Sequence, residues 1–253
     1  MQKSSIEWTG ITWGPVTGCL KWSAGCINCY AETMSKWLKN MGLPKYKNEF
    51  KPTLHPDELE TPFTWKTPQL VFVCSMSDLF QKYVPDDFIK KVFEVMNQTP
   101  QHTYQVLTKR PERALSLGNE LVWTKNIWMG TSIEDSRVQH RLTTLKKIKA
   151  KTRFLSLEPL IGPFSDLSLS KIDWVIAGGE SGWKARYIDP QWVKSIYKQC
   201  KLIKTAFFFK QWGVAEHNPN PDDPTIEKAH PLHAKGGCQL GGKVYREMPE
   251  FKK

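Results

Sequence analysis

Three cysteines in one short stretch have the type and spacing to bind a metal or a metal cluster. They are Cys19, Cys26 and Cys29, in a Cys-x6-Cys-x2-Cys pattern. Three thiolates this close together can bind three irons of a [4Fe-4S] cluster and leave the fourth iron open to a small molecule. Gly18 and Gly25 give the backbone freedom to wrap around such a cluster.

Two other interpretations of the cysteines remain open from the residues alone. A zinc site usually has four protein ligands, or three and a water, so a fourth ligand would have to come from far along the chain. Ordinary unligated thiols are the second alternative, whereas disulfide pairing within the motif leaves one cysteine over because three is odd. The distant candidates for a fourth ligand are His55, Cys74, Cys200 and Cys238.

The charge of the chain points to a polyanionic partner. Its 253 residues carry a formal net charge of +11 and include eleven tryptophans. A basic surface suits nucleic acid, and exposed tryptophans can stack on bases. A merely basic, soluble protein is the plain alternative. No apolar run reaches the roughly 18 residues of a membrane span, and the first ten residues lack a signal-peptide core. We therefore expect a cytoplasmic protein without a membrane segment.

The rest of the chain alternates apolar runs with amphipathic segments, which is typical of parallel strands joined by helices. After Cys29, apolar residues at Met34, Trp37, Leu38 and Met41 predict an amphipathic helix. We predict strands at residues 11–16, 70–74, 104–107, 127–130, 153–157, 174–177 and 206–209, and further helices at 86–97, 111–120, 136–150 and 190–203.

Polar and glycine-rich residues follow the predicted strands, at the edge where α/β barrels place their chemistry. Glu158 and Glu180 are candidate catalytic acids, because burial there would raise their pKa values. Pairing with a basic neighbour such as Arg186 is the alternative for these carboxylates. Gly178 and Gly179 would allow a cofactor to approach the backbone closely. The candidate substrate-binding residues after the last strand are Lys210, Gln211 and Trp212, which could equally plug the barrel rim.

The cysteine pattern resembles a variant of the radical SAM signature, which usually reads Cys-x3-Cys-x2-Cys. The first gap is longer here, and Asn28 stands where that superfamily usually has an aromatic residue. Tyr30, one residue after Cys29, is the candidate replacement and is assigned to cofactor binding. From Ile6 to Pro249 the chain also resembles a phage- and prophage-associated family of uncharacterised three-cysteine-motif proteins.

The radical SAM resemblance implies roles for the strand ends in binding S-adenosylmethionine (SAM). The end of the second strand would bind the methionyl amine, which selects Ser75, Ser77 and Asp78. The end of the fourth strand would bind the ribose or carboxylate, which selects Ser132 and Glu134. Helix capping is the alternative in both places. Of the two cations after the third strand, Lys109 would pair with the SAM carboxylate and Arg110 with a substrate phosphate.

Photoproduct lyases, which are radical SAM enzymes of DNA repair, offer a more distant resemblance. They place a hydrogen-donating cysteine just before a Ser-Asp pair at the end of the second strand. Here Cys74 lies further upstream of Ser77 and Asp78, and a slip of one residue turns a strand side chain to the other face. Cys74 is thus a catalytic candidate for which a core position is the favoured interpretation.

These resemblances imply an α/β fold, a partial (β/α) barrel of six or seven units. We predict the barrel over residues 1–213, with a cluster loop at 18–31 and an insertion at 43–68, and an irregular C-terminal extension at 214–253. The implied function is a radical SAM enzyme that modifies or repairs a nucleic acid or nucleotide. Its cofactors would be a [4Fe-4S] cluster and SAM, and its partners an electron donor such as flavodoxin or ferredoxin and a further partner protein. The alternative is a non-catalytic nucleic-acid-binding protein with a structural zinc or iron–sulfur site.

Overall fold

A sheet of seven parallel strands forms the centre of the molecule, in the order β1-β4-β5-β6-β7-β8-β9. The computed structural model describes residues 4–182, 184–227 and 235–250. The strands are, in chain order, β1 (Ile11–Trp13), β2 (Val16–Thr17), β3 (Thr53–Leu54), β4 (Leu70–Val73), β5 (Thr103–Thr108), β6 (Ile127–Ser132), β7 (Thr152–Leu157), β8 (Trp174–Ala177), β9 (Ala206–Phe209), β10 (Ile226–Glu227), β11 (Lys235–Gly236), β12 (Gln239–Leu240) and β13 (Lys243–Val244).

Five α-helices lie in the described part of the chain, and most connect neighbouring strands of the sheet. The link from β7 to β8 contains no helix, so one unit of the repeat is incomplete. The predicted partial barrel is confirmed, with seven parallel strands. The helices are α1 (Tyr30–Asn40), α2 (Asp86–Gln98), α3 (Pro111–Ser116), α4 (His140–Leu145) and α5 (Pro190–Leu202).

Alternation along the strands gives the sheet two apolar faces. One face packs against the helices and carries most of the core, including Val71 and Val73 of β4. The other face is the inside of the partial barrel, since its residues are the alternate ones. An aromatic cluster fills its lower part, with Trp8 from the N-terminal segment packed over the strands: Phe72, Trp128, Phe154, Trp174, Ile176 and Phe208. Several tryptophans considered for base stacking are therefore core residues.

Helix α1 differs from its prediction in the face that it buries. The helix forms where expected, but its buried residues are Ala31 and Ser35. Trp37 and Met41 of the predicted apolar face are exposed. The apolar periodicity therefore predicted the helix correctly but not the face that the helix buries.

The predicted insertion at 43–68 contains more local structure than its sequence suggested. Strand β3 pairs antiparallel with β2, and a 3-10 helix spans Pro56–Thr64. His55 Nε2 lies 2.8 Å from Thr17 Oγ1, close to the start of the cysteine stretch. The insertion thereby supports the segment that leads into the cysteines.

The described part of the C-terminal extension covers the outer edge of β9. Phe209 N donates to Tyr245 O at 3.0 Å, and Glu247 N donates to Phe207 O at 3.2 Å. The pairing is antiparallel, with a bridge between Phe208 and Arg246. An open edge would offer unpaired backbone groups to other chains, so this cover protects the sheet. Residues 228–234 and 251–253 of the extension lie outside the described residues, and its separation from the barrel stays a prediction.

Within the described residues, no helix combines the length and apolar character that crossing a membrane requires.

A buried carboxylate organises the extension. Asp223 accepts hydrogen bonds from the backbone and hydroxyl of Thr225, at 2.8 and 2.6 Å, and from Asn218 Nδ2 at 2.9 Å. Gln239 N adds a fourth donor at 3.1 Å. Burial opposes ionisation, but the Thr225 donors and the others hold the pKa of Asp223 below its ordinary value.

Replacing Asp223 should therefore destabilise the protein. Asp223→Ala removes the acceptor of four donors that are buried or partly buried, of which Asn218 Nδ2 alone keeps a second acceptor, Gly236 O. We expect a loss of about 1–3 kcal/mol in the free energy of unfolding. Urea unfolding followed by circular dichroism measures this loss. Asp222→Ala, at the exposed neighbouring position, is the matched control and should change stability by less than about 0.5 kcal/mol. Equal effects of the two substitutions would contradict the assignment.

The pH dependence of this stabilisation has a defined sign. Since folding lowers the pKa of Asp223 below 3.8, its contribution is complete above that pH. It is lost as the pH falls through the lower pKa of the folded state. The stability difference between wild type and Asp223→Ala should thus be constant near neutral pH and shrink in acid.

Candidate functional site

The stretch from residue 18 to residue 31, the cysteine loop, lies across the carboxyl edge of the sheet. Groups that follow β4, β5, β6 and β8 bind its backbone or its polar side chains. The contacts come from residues far along the chain, so the loop is positioned by the assembled sheet rather than by its own sequence.

The turn after β4 binds the start of the loop. Gly18 N donates to Met76 O at 3.0 Å. Gly18 O accepts from Ser77 Oγ at 2.6 Å and from Gln81 Nε2 at 2.8 Å. Gly18 has a φ of +72°, and a Cβ there would lie 2.3 Å from Lys51 O, so only glycine fits. Ser77, a candidate for SAM binding, thus binds the cysteine loop.

Asp78 and Arg110 form a buried ion pair beneath the loop. Arg110 Nη1 lies 2.8 Å from Asp78 Oδ2, and Arg110 Nη2 donates to Leu20 O at 2.8 Å. Asp78 also accepts from Thr108 Oγ1 and from the backbone of Phe80. Both side chains are therefore occupied by protein partners. Their expected roles, binding the SAM amine and a substrate phosphate, stay predictions that would require these bonds to be exchanged.

Glu134, after β6, binds the middle of the loop. Its Oε1 accepts from Ser23 Oγ at 2.7 Å and from Lys109 Nζ, and its Oε2 accepts from Arg141 Nη1 at 3.2 Å. A Cβ on Gly25 would lie 2.3 Å from Glu134 Cγ, so the glycine permits this approach. Burial opposes ionisation of Glu134, but Lys109 and the other donors hold its pKa below its ordinary value.

Glu180, after β8, binds the end of the loop. Arg186 binds both of its carboxylate oxygens, and Asn28 Nδ2 donates to Oε2 at 2.9 Å. Arg186 Nη1 also donates to Ala24 O at 2.9 Å. The expected rise in the pKa of Glu180 is wrong. Burial alone would raise this pKa, but the hydrogen bonds from Arg186 and Asn28 outweigh burial, so the pKa lies below its ordinary value. The alternative, an acid satisfied by Arg186, describes the geometry.

Glu158 and Lys210 form a second kind of site, on the inner face of the sheet. Lys210 Nζ lies 3.0 Å from Glu158 Oε1, and Ser156 Oγ donates to Oε2 at 3.1 Å. Ser132 is the register partner of Ser156 on the neighbouring strand. Both charged side chains are partly exposed. Ser132, Ser156, Glu158 and Lys210 thus lie on the inner face, between the aromatic cluster and the carboxyl edge of the sheet. The part of the barrel interior next to these four residues is the polar chamber.

Tyr30 lies near Glu158 of the polar chamber and contacts the residues that follow β4. Its hydroxyl donates to Ser75 O at 2.5 Å, and the charge of Glu158 acts on it. Ser75 therefore contributes its carbonyl to a contact with the first residue of α1. Tyr30 itself remains half-exposed beside Cys29. The cofactor-binding roles of both residues stay predictions.

The residues after β8 and β9 differ from their expected roles. A Cβ on Gly179 would lie 2.2 Å from Trp212 O. The absence of a side chain at Gly179 is therefore explained by the close approach of the Trp212 backbone, without a cofactor. Gly178 has Glu158 and Lys210 as neighbours. Trp212 is fully buried, packs against Phe209 and donates from Nε1 to Gln239 O at 2.9 Å. Its predicted contact with a substrate base is wrong for this reason.

Gln211 and Cys74 are also buried. Gln211 lies beside Trp212, and its carbonyl accepts from Gly179 N at 2.8 Å. Cys74 belongs to the core on the helix side of the sheet, where burial raises the pKa of its thiol to about 12. Its positive φ of 60° ends β4 and turns the chain. Cys74 thus has the core position that we favoured over hydrogen donation.

The three motif thiols are free and lie near one another. Cys26 lies close enough to Cys19 and to Cys29 for an electrostatic interaction with each. Burial raises the pKa of Cys19 to about 12 and also raises that of Cys29, against the backbone N–H groups of Glu32 and Ala31. In the described ranges, no group of three or more His, Cys, Asp or Glu side chains is arranged to hold a metal ion.

The donor set nevertheless fits a cluster. Three sulfur donors on one loop are the ligands that iron–sulfur clusters use, and bound metal deprotonates a thiol whose free pKa is high. Glu134 and Glu180 approach the loop, but both are already bound by cations of the protein. Binding a cluster would require the three Sγ atoms to face one site. Side-chain rotation would have to achieve this, because hydrogen bonds fix the loop backbone at Gly18, Leu20 and Ala24.

Sequence reasoning missed Arg141 and Gln81. Arg141 falls within the helix predicted at 136–150, but α4 is only six residues long and Arg141 is buried against Glu134. The signal was available, because the apolar neighbours Leu142 and Leu145 place it near a buried face. Nothing local distinguishes Gln81, whose contact with Gly18 spans 63 residues.

Removing the carboxylate of Glu134 should release the loop. Glu134→Ala leaves Ser23 and Lys109 without this acceptor and Arg141 with only the carbonyl of Ser132. Breaking a buried ion pair typically costs about 3–5 kcal/mol. We expect faster amide hydrogen exchange in residues 18–31, measured by mass spectrometry on the metal-free protein. Glu112→Ala, at a half-exposed surface carboxylate, is the control and should leave the exchange unchanged. Unchanged exchange in Glu134→Ala would show that other contacts suffice.

Comparison with known proteins supports the fold. A tyrosine-to-phenylalanine mutant of spore photoproduct lyase superposes with a TM-score of 0.50 at 11% identity, covering 78% of this chain and 75% of that one. A cysteine-to-serine mutant gives 0.50 at 14% identity, covering 89% and 66%. The sheet is therefore of the partial-barrel type found in that radical SAM enzyme.

A third solved structure is a spore photoproduct lyase mutant with bound AdoMet and dinucleoside spore photoproduct. Its TM-score is 0.44 at 14% identity, with 74% of this chain covered, and the match spans 60% of that chain's length. No curated protein sequence matches this chain. The family described as "Protein of unknown function (DUF5131)" matches residues 3–249, and the chain belongs to this family.

Proposed function

We propose that this protein is a radical SAM enzyme that acts on a nucleic acid or nucleotide. One observation carries the proposal: three free thiols share one loop, and that loop is fixed over the carboxyl edge of a partial barrel like that of spore photoproduct lyase. In α/β barrels this edge is where chemistry takes place.

The cysteines are the proposed ligands of the cluster. Cys19, Cys26 and Cys29 would bind three irons of a [4Fe-4S] cluster and leave the fourth open. When bound, the cluster supplies one electron for reductive cleavage of SAM. The chain's own contribution is to hold the loop in place, through the groups that bind Gly18, Ser23 and Asn28.

The polar chamber beneath the loop is the proposed reaction space. The Glu158–Lys210 pair lies on the inner face and is partly exposed, so its charges can be offered to a bound molecule. Burial lowers the pKa of Lys210, but Glu158 and Glu7 outweigh burial and raise it, so the ammonium stays charged and suits a carboxylate or phosphate. The aromatic cluster lies on the same inner face, on the side away from the carboxyl edge, and would exclude water from that side of a bound molecule.

The proposed substrate class rests on charge. The formal net charge of +11 favours a polyanion, and residues 18–51 alone contain six lysines against two glutamates. An external electron donor, such as flavodoxin or ferredoxin, belongs to the same proposal, because reductive cleavage consumes an electron. The phage association and a further partner protein stay predictions.

Loss of one motif cysteine should abolish cluster binding. After anaerobic purification and reconstitution, Cys26→Ala should lose iron, sulfide and the visible absorbance of the cluster, since two thiolates rarely retain four irons. Reductive cleavage of SAM, followed as 5′-deoxyadenosine, should disappear with them. Full iron content in this variant would sink the assignment.

Cys200→Ala is the matched control for this experiment. Cys200 is a buried thiol on α5, outside the motif, and its removal should leave iron content unchanged. A colourless wild-type protein with one tightly held zinc and no SAM cleavage would instead favour the non-catalytic alternative.

A further inference from the structure

Trp22 is one of two strongly exposed tryptophans in the described part of the chain, and it is the one that lies in the cysteine loop. It lies in the cysteine loop between Cys19 and Cys26, and it is 59% exposed. Trp13, Trp128 and Trp174, by contrast, are buried in the two faces of the sheet. An exposed indole forgoes the stabilisation that burial of a large apolar ring gives, so its position calls for another explanation.

The guanidinium group of Arg110 packs against one face of the Trp22 ring. The guanidinium carbon lies 4.9 Å from the ring centroid, within the range of a cation–π contact. Arg110 is itself fixed by Asp78 and by the carbonyl of Leu20. One side of the indole therefore rests on a rigid support while much of the ring faces solvent. A ring held in this way loses little further entropy when a planar molecule stacks on it.

A second exposed aromatic ring, that of Tyr187, lies next to a residue that binds the cysteine loop. Tyr187 is 58% exposed and packs edge-to-face on His217, with ring centroids 5.6 Å apart. It directly follows Arg186, which binds both Glu180 and Ala24 O. Trp22 thus contacts a cation that follows β5, and Tyr187 follows a cation that binds both the cysteine loop and the carboxylate after β8.

We propose that Trp22 and Tyr187 are stacking platforms for unpaired bases of a single-stranded nucleic acid. Exposed aromatic rings combined with positive charge are the features by which proteins bind single strands. Bases inside a duplex already stack on both faces, so these rings suit unpaired ones. The proposal rests on the proposed function for its substrate class and assigns the base contacts to these two residues in place of Trp212, which is buried.

Binding of a fluorescently labelled single-stranded oligonucleotide, followed by anisotropy at low salt, tests the proposal with the full-length protein. Trp22→Ala and Tyr187→Ala should each weaken binding roughly 5- to 100-fold, the range expected for loss of one stacked base. The dependence of affinity on salt should keep its slope, because stacking releases no counterions. Trp22→Phe should retain most of the affinity.

Trp37→Ala is the matched control, since Trp37 is 50% exposed on α1 and outside the proposed platforms. It should bind as wild type does. Trp22 lies between two motif cysteines, so iron content is measured for Trp22→Ala as well. If it changes, two variants still test the proposal: Tyr187→Ala leaves the cysteine loop unaltered, and Trp22→Phe keeps an aromatic ring at that position.

Three results would overturn the proposal. They are no binding of the oligonucleotide by wild type, equal effects of Trp22→Ala and Trp37→Ala, and equal losses for duplex and single strand. Retained binding by Tyr187→Ala would remove that residue's platform. Iron content and SAM cleavage, measured on the same preparations, separate this proposal from the proposed function: a wild type that binds through Trp22 without a cluster would sink only the latter.

Discussion

One buried carboxylate, that of Glu134, holds the middle of the cysteine loop. Glu134 stays ionised in a buried place, which is favourable only while cations and donors surround it. Lys109 and Arg141 supply the charges from the barrel, and Ser23 supplies a hydroxyl from the loop. If the loop moved away, the carboxylate would lose a donor without gaining full hydration. The loop is therefore held by the cost of leaving this charge unsatisfied, in addition to the bonds that it forms.

The same constraint explains the apparent surplus of charged residues at the strand ends. Asp78 with Arg110, Glu134 with Lys109, and Glu180 with Arg186 each pair within the protein while contacting the loop. Residues that resemble cofactor ligands by position are thus largely used to build the support for the motif. The Glu158–Lys210 pair differs, because it contacts no residue of the loop by hydrogen bond in the described part of the chain and lies open to the chamber.

The sequence was sufficient to locate most strands of the barrel along the chain, since apolar runs such as 153–157 and 174–177 form a clear local pattern. The predicted strand at 11–16 is an exception, because it divides into β1 in the main sheet and β2, which pairs with β3. The sequence was insufficient where a side chain's partner lies far away. The apolar stripe of α1 predicted burial, but Trp37 is exposed, because periodicity reports a helix face and not what covers it. Trp212 resembled a base-stacking residue by composition, and only the carbonyl of Gln239 and the ring of Phe209 place it in the core. Arg186 as the partner of Glu180 was anticipated because the two are close in sequence.

The long reach of the loop's contacts has a consequence for the order of folding. Ser23 bonds a residue 111 positions later, and Asn28 one 152 positions later. Contacts so distant in sequence carry a large loop-closure entropy and form only after the intervening strands have paired. We infer that the segment carrying the three thiols docks last, although it is made early. Until then those thiols are accessible to solvent, and this accessibility falls when β8 joins the sheet and the loop binds Glu180.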